Sequence, residues 1–263
     1  MSETGFRLSV FLLIFAAVAY AELRVPKRAK VGDWKQRWRI NLSILVLDIV
    51  LARLTVGAAA LMAATYASTQ GVGLFNLIGL PFWANAVLGF ILLDLAVYVQ
   101  HVITHRVPVL WRLHQVHHAD EDVDLTTGLR FHPLEIILSL VYKAAIVLAL
   151  GIDPWAVVLF EAMLNASAVY THGNYALPVK LDATIRKLFC TPDMHRVHHS
   201  IIRAETDSNY GFFLSIWDHM FRTYKPEPAL GQSGVVLGLP EYEARPTPNF
   251  WQLLKLPFKR ARA

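Results

Sequence analysis

Apolar and polar positions alternate along this chain in long blocks, and the blocks set out its elements. Residues 8–21 (LSVFLLIFAAVAYA) form an apolar run of fourteen, followed by a basic stretch, Arg24 to Arg39, with seven Lys or Arg. A second apolar block covers 40–67, interrupted by Asp48 and Arg53, and the uncharged turn STQGVG (68–73) closes it. A third runs from Leu74 to Gln100 and should break near Pro81, because proline removes a helical hydrogen bond. Two more, Leu134–Leu150 and Trp155–Thr171, are joined by the tight turn GIDP and read as a membrane hairpin. The later blocks are long enough to cross a bilayer as helices, whereas the first is short for a span and long enough for a signal-peptide core. The expected fold is therefore all-α, an integral membrane helical bundle of about four to five spans, with the intervening polar segments forming a helical cap.

Charge orients the bundle. If the basic run 24–39 is cytoplasmic, two crossings return the chain inside at residue 101 and two more at residue 172. Arg106, Arg112, Arg130, Arg186, Lys187 and the basic C-terminus then share that side, while the outer turns hold only Asp153. This is the asymmetry that the positive-inside rule describes. The AYA ending of the first block resembles a signal cleavage site. The basic residues after it argue instead for an uncleaved span. Three regions are expected: 1–39, an N-terminal span and basic segment; 40–225, the membrane domain; and 226–263, a Pro/Gly-rich segment whose tail FWQLLKLPFKRARA (250–263) suits a membrane surface.

Composition agrees with a membrane protein. The chain has 263 residues, 55% hydrophobic and 17% charged, with a mean hydropathy of +0.39. The formal charge of +5 does not point to nucleic acid, because the basic residues crowd beside apolar runs. A single cysteine, Cys190, excludes an internal disulfide and a thiolate metal cage, and reads as a small buried thiol.

The chemistry lies in the histidines. Eleven are present, and eight fall in three clusters: His101/His105 (HVITH), His114/His117/His118 (HQVHH) and His195/His198/His199 (HRVHH). Residues three and four apart share a helical face, so each cluster aims several imidazoles one way. A catalytic zinc takes about three protein ligands and an octahedral ion about six, so this many imidazoles fits two ions better than one. Imidazole alone does not choose the element. His172 is added as a ligand because Glu161, Asn165, Ala168 and His172 form one face ending at the membrane boundary. Asp94, Tyr98, His101 and His105 form a second such face. Asp94, Asn174 and Asp193 are candidate acceptors that orient ligand imidazoles, with Tyr98 beside them. Asp94 reads equally as an aspartate paired within the bundle. His132 and His219 read as packed or surface residues, and Asp120, Glu121, Asp122 and Asp124 as a solvated loop. Thr191-Pro192-Asp193 begins a helix. The segment 223–248, with five prolines and three glycines, should be mostly irregular.

HVITH, WRLHQVHH, LTTGLRFHPLE, THGN, TPDMHRVHHS and DSNYGFFLSIWDHMF together resemble the fatty acid hydroxylase / sterol desaturase superfamily over roughly residues 90–225. The resemblance implies a cytoplasmic cap holding two iron ions, His101, His105, His114, His117, His118, His195, His198 and His199 as ligands, and use of dioxygen to hydroxylate or desaturate a lipid such as a fatty acyl, sterol, isoprenoid or alkyl ether lipid. HQVHHADEDVDLTTGLR looks most like the alkylglycerol monooxygenase branch, which implies ether-lipid cleavage with tetrahydrobiopterin as reductant. The chain shows no flavin, haem or nucleotide motif, so electrons must come from outside, from a pterin or a cytochrome or ferredoxin system. FRTY (221–224) departs from the pattern, since relatives often carry glycine second; His219 and Ala168 depart as well. From other classes, a histidine-rich metal transporter or sensor remains, although transporters place ligands near the bilayer midplane. A membrane zinc hydrolase lacks the H-E-x-x-H that would supply its base.

Overall fold

The computed structural model describes residues 2–240 and 248–259. Its helices are α1 (Glu3–Arg24), α2 (Trp34–Thr55), α3 (Ala59–Gln70), α4 (Leu74–Leu77), α5 (Phe82–Arg106), α6 (Pro108–His118), α7 (Pro133–Leu150), α8 (Pro154–His172), α9 (Val179–Ile185), α10 (Pro192–His198), α11 (Arg203–Thr206), α12 (Ile216–Met220), α13 (Gly231–Gly234) and α14 (Phe250–Lys255). Among the described residues only isolated β-bridges occur, so the chain is all-helical.

Among the described residues, four segments are long and apolar enough to cross a membrane: Glu3–Arg24, the broken Trp34–Leu77, Phe82–Arg106 and Pro133–Leu150. Helix α8, expected as a fifth, is not among them. Glu161 and Asn165 interrupt its apolar run, and the bundle covers it, with contacts to α1, α3 and α5. Large side chains such as Leu13, Met62 and Trp83 point outward, as they must where lipid is the solvent. The protein is thus built as a multi-pass membrane protein.

Local sequence accounts for the breaks. Asp33 caps α2 by accepting from the amides of Lys35 and Gln36, so this helix starts before the apolar block does. It ends at Gly57, where φ is +53°. Pro81 caps α5, which then runs unbroken past Gln100 to Arg106 and carries the first histidine pair. At the end of the bundle away from the histidines, Gly73 abuts Gly151, and a Cβ on Gly73 would lie 2.4 Å from the Gly151 nitrogen. Both have positive φ, so glycine is required for conformation and for space. Asn85 locks the same corner by donating to the Gly151 carbonyl (3.0 Å) and accepting from the Asp153 amide (2.8 Å).

Inside the bundle, the small residues Ala60 and Ala64 of α3 let it approach α7 and α8, in a core that also holds Val147, Phe160 and, from α5, Leu93 and Val97. Glu161, expected only to extend a polar stripe, is held between Arg7 of α1 (2.6 Å) and Lys143 of α7 (3.4 Å). An ionised group at that depth is costly without partners, and this triad supplies them.

The cap corrects the expectation for the acidic segment. Asp120 and Asp124 are buried, not solvated. Arg37, itself buried, donates to Asp120 (2.6 Å) and Asp124 (3.1 Å) and to the Asp122 carbonyl. Asn41 and Trp38 add bonds from the same helix. The start of α2 is thereby fastened to the loop after the second histidine cluster. The C-terminal tail also packs on the fold. Leu253 and Leu256 are buried in one cluster with Ile40, Ile44, Val116 and Ala119: α14 docks on α2, and the turn Leu256–Phe258 that follows it docks on α6. Trp251 and Phe258 stay exposed. Residues 260–263, the basic end of the expected anchor, and 241–247 lie outside the described residues.

Candidate metal centre

Each histidine cluster is delivered by a helix end. The last two turns of α5 bring His101 and His105, and α6 starts at once with Pro108 at its first position, turning His114, His117 and His118 back toward them. His172 ends α8. Thr191 caps α10 as expected, its hydroxyl accepting from the Met194 amide (3.3 Å) with Pro192 at the first position, which fixes His195, His198 and His199.

The nine histidines singled out in the sequence assemble into two groups: His101, His105, His114, His118 and His198; and His117, His172, His195 and His199. Within each group the ring nitrogens lie within 4.8 Å of one another, and all nine residues are buried. In the second group, His172 Nε2 stands 3.0 Å from His117 Nε2, 3.0 Å from His195 Nε2 and 3.2 Å from His199 Nε2. In the first, His101 Nε2 and His114 Nε2 are 3.2 Å apart.

These spacings can be tested against a bound cation through the protons. His117 Nδ1 donates to the Arg130 carbonyl (3.2 Å) and His172 Nδ1 to the Ala168 carbonyl (2.6 Å). Each neutral ring then has a bare lone pair at Nε2, and these two lone pairs face each other. The same holds in the other group, where His101 Nδ1 donates to the Tyr210 carbonyl (2.7 Å) and His114 Nδ1 to Glu135 (2.6 Å). His198 Nδ1 donates to the Ser208 carbonyl (2.8 Å), which leaves its Nε2 as a buried acceptor with no protein donor. Converging bare acceptors repel unless a cation lies between them. Ligand nitrogens about 2.0–2.1 Å from a shared ion stand roughly 3.0–3.4 Å apart, as these do. The residues fit two metal ions.

Burial keeps the rings neutral and ready to ligate. It pushes His117, His118, His195 and His199 well below the ordinary histidine value, and neighbouring imidazoles reinforce this. His198 is pushed down to about 3, by burial first and His114 next.

The four expected orienting residues do not touch an imidazole. Asp94 accepts from the Trp217 indole (2.8 Å) and the Leu214 amide (3.3 Å), so it ties α5 to the cap. Tyr98 shares a hydrogen bond with Thr223 (2.8 Å). Asn174 bonds to the backbone of Arg28, and Asp193 pairs with Lys27 and Arg196 at 2.6 Å each. The orienting acceptors are instead four backbone carbonyls and the Glu135 carboxylate, while Asp207 stands 3.4 Å from His105 Nδ1. Only Glu135 had a visible signal, as an acid in the first turn after a histidine cluster. His132 and His219 lie outside both groups: His132 caps α7 and pairs with the Leu254 carbonyl, and His219 pairs with the Arg186 carbonyl.

The chain is similar to several known proteins. The chain is 33% identical to the human (Homo sapiens) alkylglycerol monooxygenase over 159 residues, 58% of this chain and 34% of that protein. It is 29% identical to the ornithine lipid hydroxylase OlsE of Rhizobium tropici over 158 residues, 59% of this chain and 46% of that protein. It is 31% identical to a cholesterol 25-hydroxylase-like protein of Danio rerio over 135 residues, 51% of this chain and 52% of that protein. The chain thus matches between about a third and half of these relatives' length. No solved structure matches it. The fatty acid hydroxylase family matches residues 86–223, more than half of the chain and every histidine of both groups, and the protein belongs to that family.

Proposed function

We propose that this protein is a dioxygen-dependent lipid hydroxylase whose two histidine groups each hold one iron ion. The observation that carries this reading is the pair of inward-facing sets of Nε2 lone pairs, buried and without protons. The similar proteins are named an alkylglycerol monooxygenase, an ornithine lipid hydroxylase and a cholesterol 25-hydroxylase-like protein. The substrate class is accordingly a membrane lipid with an unactivated C–H bond.

His101, His105, His114, His118 and His198 would hold one ion, and His117, His172, His195 and His199 the other. When bound, such a pair supplies the redox chemistry that splits dioxygen and places one oxygen atom in a C–H bond. The chain's own part is positional. The carbonyls of Tyr210, Arg130, Ala168 and Ser208 hold the Nδ1 protons of His101, His117, His172 and His198, and Glu135 holds that of His114, so these five Nε2 atoms keep their direction. Burial of the rings excludes water from the reacting region. Because the histidines sit at one end of the spans, a chain lying in the bilayer can reach them without leaving it. The basic residues 24–39 and Arg106, Arg112 and Lys187 gather at that same end, which supports a cytoplasmic site.

The test is direct. Protein purified in nanodiscs should contain about two irons per chain by elemental analysis. Given a reductant and isotopically labelled dioxygen, it should transfer label into an ether, amino-acid or sterol lipid. One zinc per chain, or freely exchanging ions, would favour the transporter or sensor reading. A C-terminal reporter that is active outside the cytoplasm would overturn the orientation.

A further inference from the structure

One indole joins the first histidine group to the surface. Trp111, in the first turn of α6, packs against His105 (4.8 Å between ring centroids), His118 (5.3 Å) and His114 (6.3 Å). The guanidinium carbon of Arg203 stands 5.0 Å from the centre of the Trp111 ring. The Arg203 side chain is 56% exposed; it pairs with Asp207 (2.6 Å) and donates to the His105 carbonyl (3.2 Å). That bond places Arg203 beside the corner where α5 passes into α6, and there Arg106 and Arg112 are also exposed. Val107, Val109 and Ile202 expose apolar surface among these charges.

Resting on the oxygenase reading, we infer that this corner docks an acidic one-electron carrier protein, with Trp111 as the contact between carrier and metal centre. Each hydroxylation consumes one C–H bond, one O2, two electrons and two protons, and yields one C–OH and one water. Two reduced carriers supply the electrons, one each, and leave oxidised. The histidines themselves are out of reach, since the five rings of the first group are at most 4% exposed. Electron transfer weakens steeply with separation, so a protein-sized donor needs a group that touches both the surface and the rings. Trp111 does so. Among the described residues, the guanidiniums of Arg106, Arg112 and Arg203 outnumber the Asp207 carboxylate that pairs with Arg203, so the corner is basic, and arginine pairs well with carboxylates. Interspersed apolar side chains suit the small, transient contact typical of redox partners.

The experiment uses the full chain, iron-loaded, in nanodiscs of uncharged lipid, with reduced plant-type [2Fe–2S] ferredoxin as the probe. Anaerobic ferredoxin oxidation is followed by stopped flow, and binding of oxidised ferredoxin by calorimetry, at low and high salt. The wild-type rate should fall as salt rises. The double variant Arg106→Glu/Arg112→Glu, at equal iron content, should bind ferredoxin at least roughly 10-fold more weakly and be reduced correspondingly more slowly, with little salt dependence. Trp111→Leu, at equal iron content, should bind ferredoxin normally but accept its electrons more slowly. Wild-type ferredoxin kinetics in either variant overturn the inference. So does a double variant that loses only its binding to anionic vesicles, which would make the corner a lipid-headgroup surface. Dithionite, too small to need docking, separates this from the parent reading: wild type reduced with it and then given O2 must still form hydroxylated lipid, and the double variant must match it. Failure of wild type in that step sinks the oxygenase reading and leaves the binding result standing alone.

Discussion

Glu135 Oε1 lies 2.6 Å from Nδ1 of His114, joining the first turn of α7 to the helix that carries three of the nine histidines. The carboxylate fixes the tautomer that turns Nε2 inward. Replacing it by alanine should weaken metal binding by about 10- to 100-fold, as loss of outer partners of metal-bound histidines commonly does. Glu135→Gln, which keeps an acceptor without the charge, should fall between. A competition titration with a coloured chelator reads both, and unchanged affinity in the alanine variant would remove Glu135 from any orienting role.

His172 is the hub of its group, with three other Nε2 atoms within 3.2 Å. His172→Ala should therefore empty one site and leave the other, lowering iron from about two per chain to about one. His105→Ala should do the same from the opposite group. Retention of two ions by both variants would mean that the groups do not hold separate metals.

The depressed histidine values have a definite pH consequence. In the metal-free protein, His117, His118, His195, His198 and His199 stay neutral below the pH at which an unfolded chain protonates them, near 6.5. Between that pH and the lower folded values, which for His198 is about 3, the unfolded state binds more protons. Apo-protein stability should be fully present above about pH 6.5 and decline as pH falls through this window. Thermal melts of chelator-stripped protein from pH 8 to pH 4 test this. A flat melting temperature would contradict it.

Arg222 stands where the family resemblance implies glycine. Its φ is +60°, the left-handed region that costs a side-chain-bearing residue about 1–2 kcal/mol. Arg222→Gly should raise stability by up to about 1 kcal/mol, after the greater chain entropy of glycine is offset. A lower melting temperature would show that the guanidinium makes a contact worth more than the strain.

Removing Arg37 should be far more damaging than its surface counterparts suggest. It leaves Asp120 and Asp124 buried with fewer partners, and breaking such a network from one side typically costs about 3–5 kcal/mol. Arg37→Met is expected to unfold the cap under mild heating. Surface Arg39→Met should change little, and equal melting curves for the two would refute the tether.

The histidines were readable because imidazoles at three- and four-residue spacing are rare enough to stand out, and because the apolar blocks bounded the helices that carry them. Their partners were not. A carbonyl such as that of Ala168 has no residue-type signature, so the acceptor for His172 appears only once α8 is wound. Asp94 lies on the histidine face of α5 as expected, yet Trp217, far along the chain, claims its carboxylate. Asp120 looked solvated because nothing nearby in sequence neutralises it; Arg37 does so from the far side of the fold. Helix α8 fell between two categories: enough polar residues to miss the span criterion, and enough neighbours to be buried regardless.

The ligands of each group come from separated segments, and the second group is incomplete until His199 has joined His117 and His172. During synthesis, then, neither pocket exists while the apolar helices are being inserted. On the proposed function, ion loading would follow insertion, and a cell starved of metal should accumulate a fully inserted but hollow apoprotein whose abundance is governed by quality control, not by translation.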